Sequence, residues 1–195
     1  VARLFIGIDF PPAEKQRLGL LQQRLQTLGV RAHWTPKRLL HMTVLFLGET
    51  PETNVGGIQR TAAEVLADER PSVLAVDRVG LFRRNRILWV GVPSACENRF
   101  ARIQRRLAKR LRRELGMVIE DRPYQAHITL ARQLQFPVPR LESHVMDGLR
   151  FEFLTNSLVL FESTRQHGQL EYVVRARLPM QTPPGNGQPG AEPGW

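Results

Sequence analysis

Two short stretches of this chain carry the same pattern: histidine, an apolar residue, threonine, another apolar residue. The first is His41-Met42-Thr43-Val44 and the second is His127-Ile128-Thr129-Leu130. In an extended strand, residues i and i+2 share a face. Each histidine therefore lies beside its threonine, while Met42 and Ile128 point the other way. An imidazole with its ordinary pKa of about 6.5 works as acid or base at neutral pH. A hydroxyl beside it donates to an anionic oxygen. Two such pairs facing each other suit in-line displacement at phosphorus. One imidazole takes a proton from the entering oxygen and the other gives one to the leaving oxygen. The hydroxyls hold the non-bridging oxygens, where charge collects.

A lone histidine in a strand is ordinarily structural, bonded to backbone. Two in matching apolar contexts, separated by about half the folded length, need a common explanation, because imidazole is costly to bury without partners. The spacing predicts two related lobes, each presenting one His/Thr pair to a shared cleft. His33, His144 and His167 lack this context and are read as surface or structural residues.

The elements that must position the pairs follow from periodicity. Val1–Asp9 reads as a strand rather than a signal peptide, having neither a basic n-region nor a long apolar core. After Pro11-Pro12, Leu18, Leu21, Leu25 and Leu28 mark an amphipathic helix stopped near Gly29. Leu40–Leu47 is a buried strand closed by Gly48, and Asn54–Glu69 a second helix. Strands Ser72–Val79 and Arg86–Val92 flank the basic turn Phe82-Arg83-Arg84-Asn85. Ser94–Leu115 is a long helix with Phe100, Ile103, Leu107 and Leu111 on its apolar face. Ala126–Arg132 is the next strand, and Phe151–Phe161 and Leu170–Leu178 close as an antiparallel pair. Without a regular parallel βα rhythm, the fold class is α+β with antiparallel sheets. One domain is expected over residues 1–178, followed by a Pro/Gly-rich tail, 179–195, expected to be mobile.

Charge and composition narrow the partners. The formal net charge is +10, and 25 of the 28 cations are arginine, the exceptions being Lys15, Lys37 and Lys109. Arginine binds phosphate bidentately, so the balance favours a polyanionic partner, although arginine-favouring codon usage gives the same composition. The cationic faces of Ser94–Leu115 (Arg99, Arg102, Arg105, Arg106, Lys109, Arg110, Arg112, Arg113) are read first as a solvated surface and second as an RNA-binding ridge. The single cysteine, Cys96, excludes an internal disulfide and suggests a cytoplasmic protein. No apolar run approaches the length that crosses a bilayer. No carboxylate cluster suits a metal, so neither metal nor cofactor is expected.

The paired motifs, with RLFIGIDFP at the start, LHMTVLFLGE and RPYQAHITLAR around the histidines, and ILWVGV between them, resemble the 2H phosphoesterase superfamily. The similarity is greatest to its RNA 2′,3′-cyclic phosphodiesterases, also called 2′-5′ RNA ligases. The resemblance implies a bilobal α+β fold of two pseudo-symmetric lobes, antiparallel sheets flanked by helices and the site in the cleft between them. It also implies a monomer that opens 2′,3′-cyclic phosphates on RNA or nucleotides to 2′-phosphomonoesters without a metal. His41 would be proton donor to the leaving 3′-oxygen and His127 proton acceptor from water, with Thr43 and Thr129 on the phosphate. Ala126 departs from the proline that often precedes the second histidine. The family places an aromatic residue and an arginine where Phe46 and Arg132 stand, suited to sandwiching a base. Strand parity alone turns both away from the histidines unless a bulge intervenes. Trp34, Arg83, Arg84 and Tyr124 are looser candidates for the cleft rim. The alternatives are 2′-5′ ligation at the same site and a non-catalytic arginine-rich RNA-binding protein.

Overall fold

A computed structural model describes residues 1–138 and 143–181 of the chain. Its organising unit is a strand, a helix and an antiparallel strand, and it occurs twice. In the first unit, β1 (Ala2–Asp9) leads through Pro11 into α1 (Pro12–Thr27), and the chain returns along the two-residue strand β2 (His33–Trp34), a 3-10 turn at Lys37–Leu39 and β3 (His41–Thr50). Helix α2 (Glu52–Leu66) follows. Three strands come next: β4 (Ser72–Val76), β5 (Arg78–Phe82) and β6 (Ile87–Gly91). The second unit is β6, α3 (Ser94–Leu115) and β7 (His127–Arg132). Strands β8 (Phe151–Thr155), β9 (Ser157–Gln166) and β10 (Gln169–Pro179) complete the fold.

Strands β10-β9-β1-β3 and β7-β6-β5 form two antiparallel half-sheets, continuous across one pairing, Met42 with Ile128. These are the central residues of the two motifs. Pairing them back to back makes a local twofold relation between the motifs, and both side chains are fully buried. Each removes an apolar surface worth about 1.5–3 kcal/mol from water. The main core continues from them through Leu4, Ile6 and Ile8 of β1, Leu18, Leu21 and Leu25 of α1, Ile58 and Val65 of α2, and Phe100, Ile103, Leu107 and Leu111 of α3. The leucine stripe of α1 and the apolar face of α3 are buried as their periodicity requires. Gly116, at φ +61°, ends α3 in the left-handed conformation that favours glycine.

Several elements differ from the sequence expectation, two of them because pairing partners change where apolar pattern does not. Ser72–Val79 is not one strand: β4 pairs with β8 in a separate two-stranded sheet, while β5 pairs with β6. Phe151–Phe161 likewise divides at Asn156, since β8 serves the small sheet and β9 the large one. Gly48 does not close β3. It sits in a bulge at φ +68°, and the strand runs on to Thr50. Helix α2 begins at Glu52, directly after Pro51. The fold reaches past Leu178: the Met180 N–H donates to the Asn156 carbonyl at 2.8 Å and the Gln181 N–H to that of Glu69 at 2.9 Å. The rest of the expected tail lies outside the described residues.

The cations of α3 have carboxylate partners. Glu69, only 4% exposed, receives Arg99, Arg102 and Arg106, and Asp68 also holds Arg106 at 2.7 Å. Arg110 joins Glu64 and Glu114, and Arg113 also reaches Glu114. An unpaired Glu69 would carry a heavy desolvation cost, which the three guanidinium groups offset. Much of this face is therefore an ionic seam between α3 and the C-terminal end of α2. Arg105 and Lys109 remain exposed.

Candidate active site

Because Met42 and Ile128 face the core, His41, Thr43, His127 and Thr129 share the opposite face, and all four are half-buried. The rings are fixed alike. His41 Nδ1 lies 2.7 Å from the Leu39 carbonyl and His127 Nδ1 lies 2.8 Å from the Gln125 carbonyl, each two residues back in the chain. A carbonyl only accepts, so Nδ1 carries the proton in both rings and Nε2 is left for chemistry. At His41, Nε2 is 3.0 Å from Thr43 Oγ1. When His41 is neutral, the hydroxyl donates to it. When His41 is charged, Nε2 becomes a donor and the hydroxyl proton is free for another acceptor.

Aromatic rings wall both histidines. His41 lies 4.9 Å from Phe5 and 4.8 Å edge-on from Tyr172, with Phe161 behind. His127 lies 5.0 Å edge-on from Phe82, which packs on Trp89. Burial among these rings lowers the His41 pKa to about 4, helped by the charges of Lys15 and Arg132 and by His127, against the raising effect of the Leu39 bond. Burial lowers His127 as well, with Arg132 adding to the shift. Both imidazoles are therefore neutral in the free protein at neutral pH. An anion between them favours the charged form and opposes both causes.

The parity objection to Phe46 and Arg132 is removed by bulges. Along β1, Gly7 pairs with Thr43 and Ile6 with Leu45, which leaves Val44 as an extra residue. Along β6, Trp89 pairs with Thr129 and Leu88 with Ala131, which leaves Leu130 extra. Val44 and Leu130 are the fourth residues of their motifs, so the bulge itself is repeated. Each bulge shifts the alternation by one and brings the residue five after the histidine back to the histidine face. Phe46 is accordingly 63% exposed, its ring 6.0 Å from Phe5. Gly7 belongs to the same device: a Cβ there would meet the Met42 carbonyl at 2.7 Å.

A buried glutamine holds the second bulge. Gln22 of α1 donates from its amide to the carbonyls of Leu130 at 2.9 Å and Thr35 at 2.8 Å. The Leu130 carbonyl also accepts the Thr35 N–H at 2.9 Å. Gln22→Leu keeps the volume and strands the Thr35 carbonyl. It should cost about 1–3 kcal/mol, read as a lower urea midpoint with unchanged slope. An unshifted midpoint would mean that water replaces the amide.

A cavity of about 360 Å³ opens beside His41 and Thr129. Arg132, Tyr172, Trp34, Arg38 and Gln169 are among its lining residues. Arg38 clamps its edge, bonded to Glu171 and Gln169 of β10. Of the looser rim candidates, Trp34 lines this cavity, and Tyr124 sits beneath the site, donating to the Thr43 carbonyl at 3.3 Å. Arg83 and Arg84 stand outside it on the turn between β5 and β6. His33, expected to be a surface residue, is exposed yet lines the cavity, because β2 pairs with the end of β7. His167 is an exposed turn residue, and the side chain of His144 lies outside the description. Tyr172 and Gln22 were not legible as site residues. The only signal was a glutamine within the leucine stripe of α1. Among the described residues, no three His, Cys, Asp or Glu side chains gather as metal ligands, and no helix is long and apolar enough to cross a membrane.

One family model, LigT like Phosphoesterase, matches the chain twice, over residues 8–89 and 90–170. The chain belongs to this 2H phosphoesterase family, and the two matches coincide with the two motif-bearing halves. It is 28% identical over 152 residues to the RNA 2′,3′-cyclic phosphodiesterase of Archaeoglobus fulgidus, covering 76% of this chain and 79% of that one. Its fold is similar to that of a solved Thermus thermophilus protein, with a TM-score of 0.74, 23% identity and coverage of 91% and 97%. It is similar also to E. coli LigT complexed with 3′-AMP, with a TM-score of 0.68, 19% identity and coverage of 92% and 98%.

Proposed function

We propose that this protein hydrolyses 2′,3′-cyclic phosphate ends of RNA to 2′-phosphomonoesters by metal-independent acid–base catalysis. The observation that carries the reading is the doubled ring geometry: two imidazoles on one open face, each with Nδ1 held by a backbone carbonyl, Nε2 available and a threonine beside it. The A. fulgidus relative bears the name of this activity, and E. coli LigT is known in complex with 3′-AMP.

In the proposed step, water attacks phosphorus opposite the ribose 3′-oxygen and gives a proton to His127 Nε2. The P–O3′ bond breaks, and the 3′-oxygen receives a proton from His41 Nε2. Thr43 and Thr129 donate to the non-bridging oxygens. The bound phosphate charges His41, which turns its Nε2 into a donor and releases the Thr43 hydroxyl toward the phosphate. Arg132 and Phe46 contact the nucleoside next to the reacting group. The protein acts as a cytoplasmic monomer.

The test is incubation of the protein with an oligonucleotide ending in a 2′,3′-cyclic phosphate, in excess EDTA. The expected product is the 2′-phosphate. A 3′-phosphate product would reverse the polarity. Activity lost in EDTA and restored by a divalent ion would make it a metal enzyme.

A further inference from the structure

Arginine is concentrated in two places, and they differ in what neutralises it. On α3 the seam described above pairs guanidinium groups with Glu64, Asp68, Glu69 and Glu114. At the far end of β7 there is no such partner among the described residues. Arg132 ends that strand and pairs in register with His33 of β2, just after Arg31. The Gln135 N–H donates to the Arg31 carbonyl at 2.9 Å. On the other side, Arg86 and Leu134 exchange two bonds: the Leu134 N–H donates to the Arg86 carbonyl at 3.0 Å, and Arg86 Nε donates to the Leu134 carbonyl at 2.8 Å. Arg83 and Arg84 occupy the turn immediately before.

Five arginines (Arg31, Arg83, Arg84, Arg86 and Arg132) thus meet at one end of the second half-sheet, and all are exposed. Among the described residues none of them forms an ion pair with a carboxylate. The segments that carry them, 31–36, 82–87 and 130–138, contain no Asp or Glu. Solvated cations left unpaired beside one another repel, and a polyanion removes that repulsion while releasing its own counterions. Arg132 connects the cluster to the site, since it lines the same cavity as His41 and Thr129. Arg31, Arg83, Arg84 and Arg86 are not among the residues that line that cavity, so RNA that reaches them must extend beyond the nucleoside at Arg132.

We infer that this arginine rim binds the phosphodiester backbone of single-stranded RNA leading away from the reacting end. The preferred substrate is then an oligonucleotide rather than a nucleoside 2′,3′-cyclic phosphate. This rests on the catalytic reading above for the location of the reacting end, but backbone binding is measured independently of it.

The variant R83A/R84A removes two rim charges from an exposed turn. R105A/K109A removes two exposed charges from α3 and serves as the control. Each is compared with the wild type in kcat/KM for a cyclic-phosphate decanucleotide and for the matching mononucleotide, and in binding of a 5′-fluorescein decanucleotide by anisotropy. With a salt slope of about 0.7 per charge on single strands, the rim variant should lose about sevenfold less affinity than the wild type between 50 and 200 mM salt. Its kcat/KM on the decanucleotide should fall at low salt while mononucleotide turnover stays unchanged, and the control should behave as wild type. Equal losses in both variants would mean that net charge alone is responsible, and an unaffected rim variant would remove the rim; either overturns the inference. If the wild type turns over neither substrate, the catalytic reading fails, and the anisotropy slopes still decide the rim.

Discussion

Replacing His41 or His127 by alanine is expected to lower kcat on a cyclic-phosphate oligonucleotide by about 10²–10⁴-fold each, the usual contribution of a positioned acid or base. Binding of the RNA should persist, because neither ring supplies backbone affinity. The two effects should not multiply. If both protons move in one displacement, loss of either partner forfeits most of what the other contributes, and the double variant should be little slower than the worse single one. Residual activity within about threefold of wild type in either single variant would be too small an effect for general acid or base catalysis and would remove that histidine from the mechanism. Alanine at 41 also opens space beside Phe5, Phe161 and Tyr172, so folding of each variant is checked by its urea midpoint. A variant with intact midpoint and lost turnover separates chemistry from packing.

The second large effect is on acid stability. Burial holds the folded His41 pKa at about 4, against an ordinary value of 6.5. Between those values the unfolded chain binds a proton that the folded protein does not, so acidification favours unfolding. The contribution is fully present above pH 6.5 and is lost as pH falls through 4. At 1.36 kcal/mol per unit, the loss is about 3 kcal/mol. His127, also lowered, adds in the same direction. His41→Gln should flatten the loss between pH 6.5 and 4, measured as urea midpoints across the series; an unchanged slope would mean that His41 is already charged in the fold. Turnover follows from the same groups. One imidazole must be charged and the other neutral, so kcat/KM should be bell-shaped with its maximum below pH 6.5. The maximum of kcat should lie higher, because bound phosphate favours the charged His41.

The placement of the candidate reacting side chains was legible because it depends on short-range order. Strand alternation needs only neighbouring residues, and it put each histidine beside its threonine with Met42 and Ile128 turned to the core. The helical stripes of α1 and α3 were equally local. The approximate repeat was legible as a spacing, and the match of both halves to one family model agrees with it.

Partners distant in the chain set the rest. An apolar run does not state which strand it pairs with, so Ser72–Val79 and Phe151–Phe161 each read as one strand and fold as two. Nor does alternation disclose a bulge, which exists only as a mismatch between a strand and its neighbour. The extra residues Val44 and Leu130 are defined by β1 and β6, and they turn Phe46 and Arg132 toward the histidines. Gln22 looks like a polar interruption of a leucine stripe until the Leu130 and Thr35 carbonyls are found above it. Tyr172 reaches His41 through the β9–β10 register. The arginine count, uniform as composition, divides only when carboxylates from α2 and the segment after it fold against α3, while the end of β7 has no carboxylate partner among the described residues. Local sequence was enough to specify the candidate reacting side chains and the strand face they occupy. Tertiary pairing chose their surroundings, because register, burial and charge compensation arise from contacts between segments that the local pattern does not link.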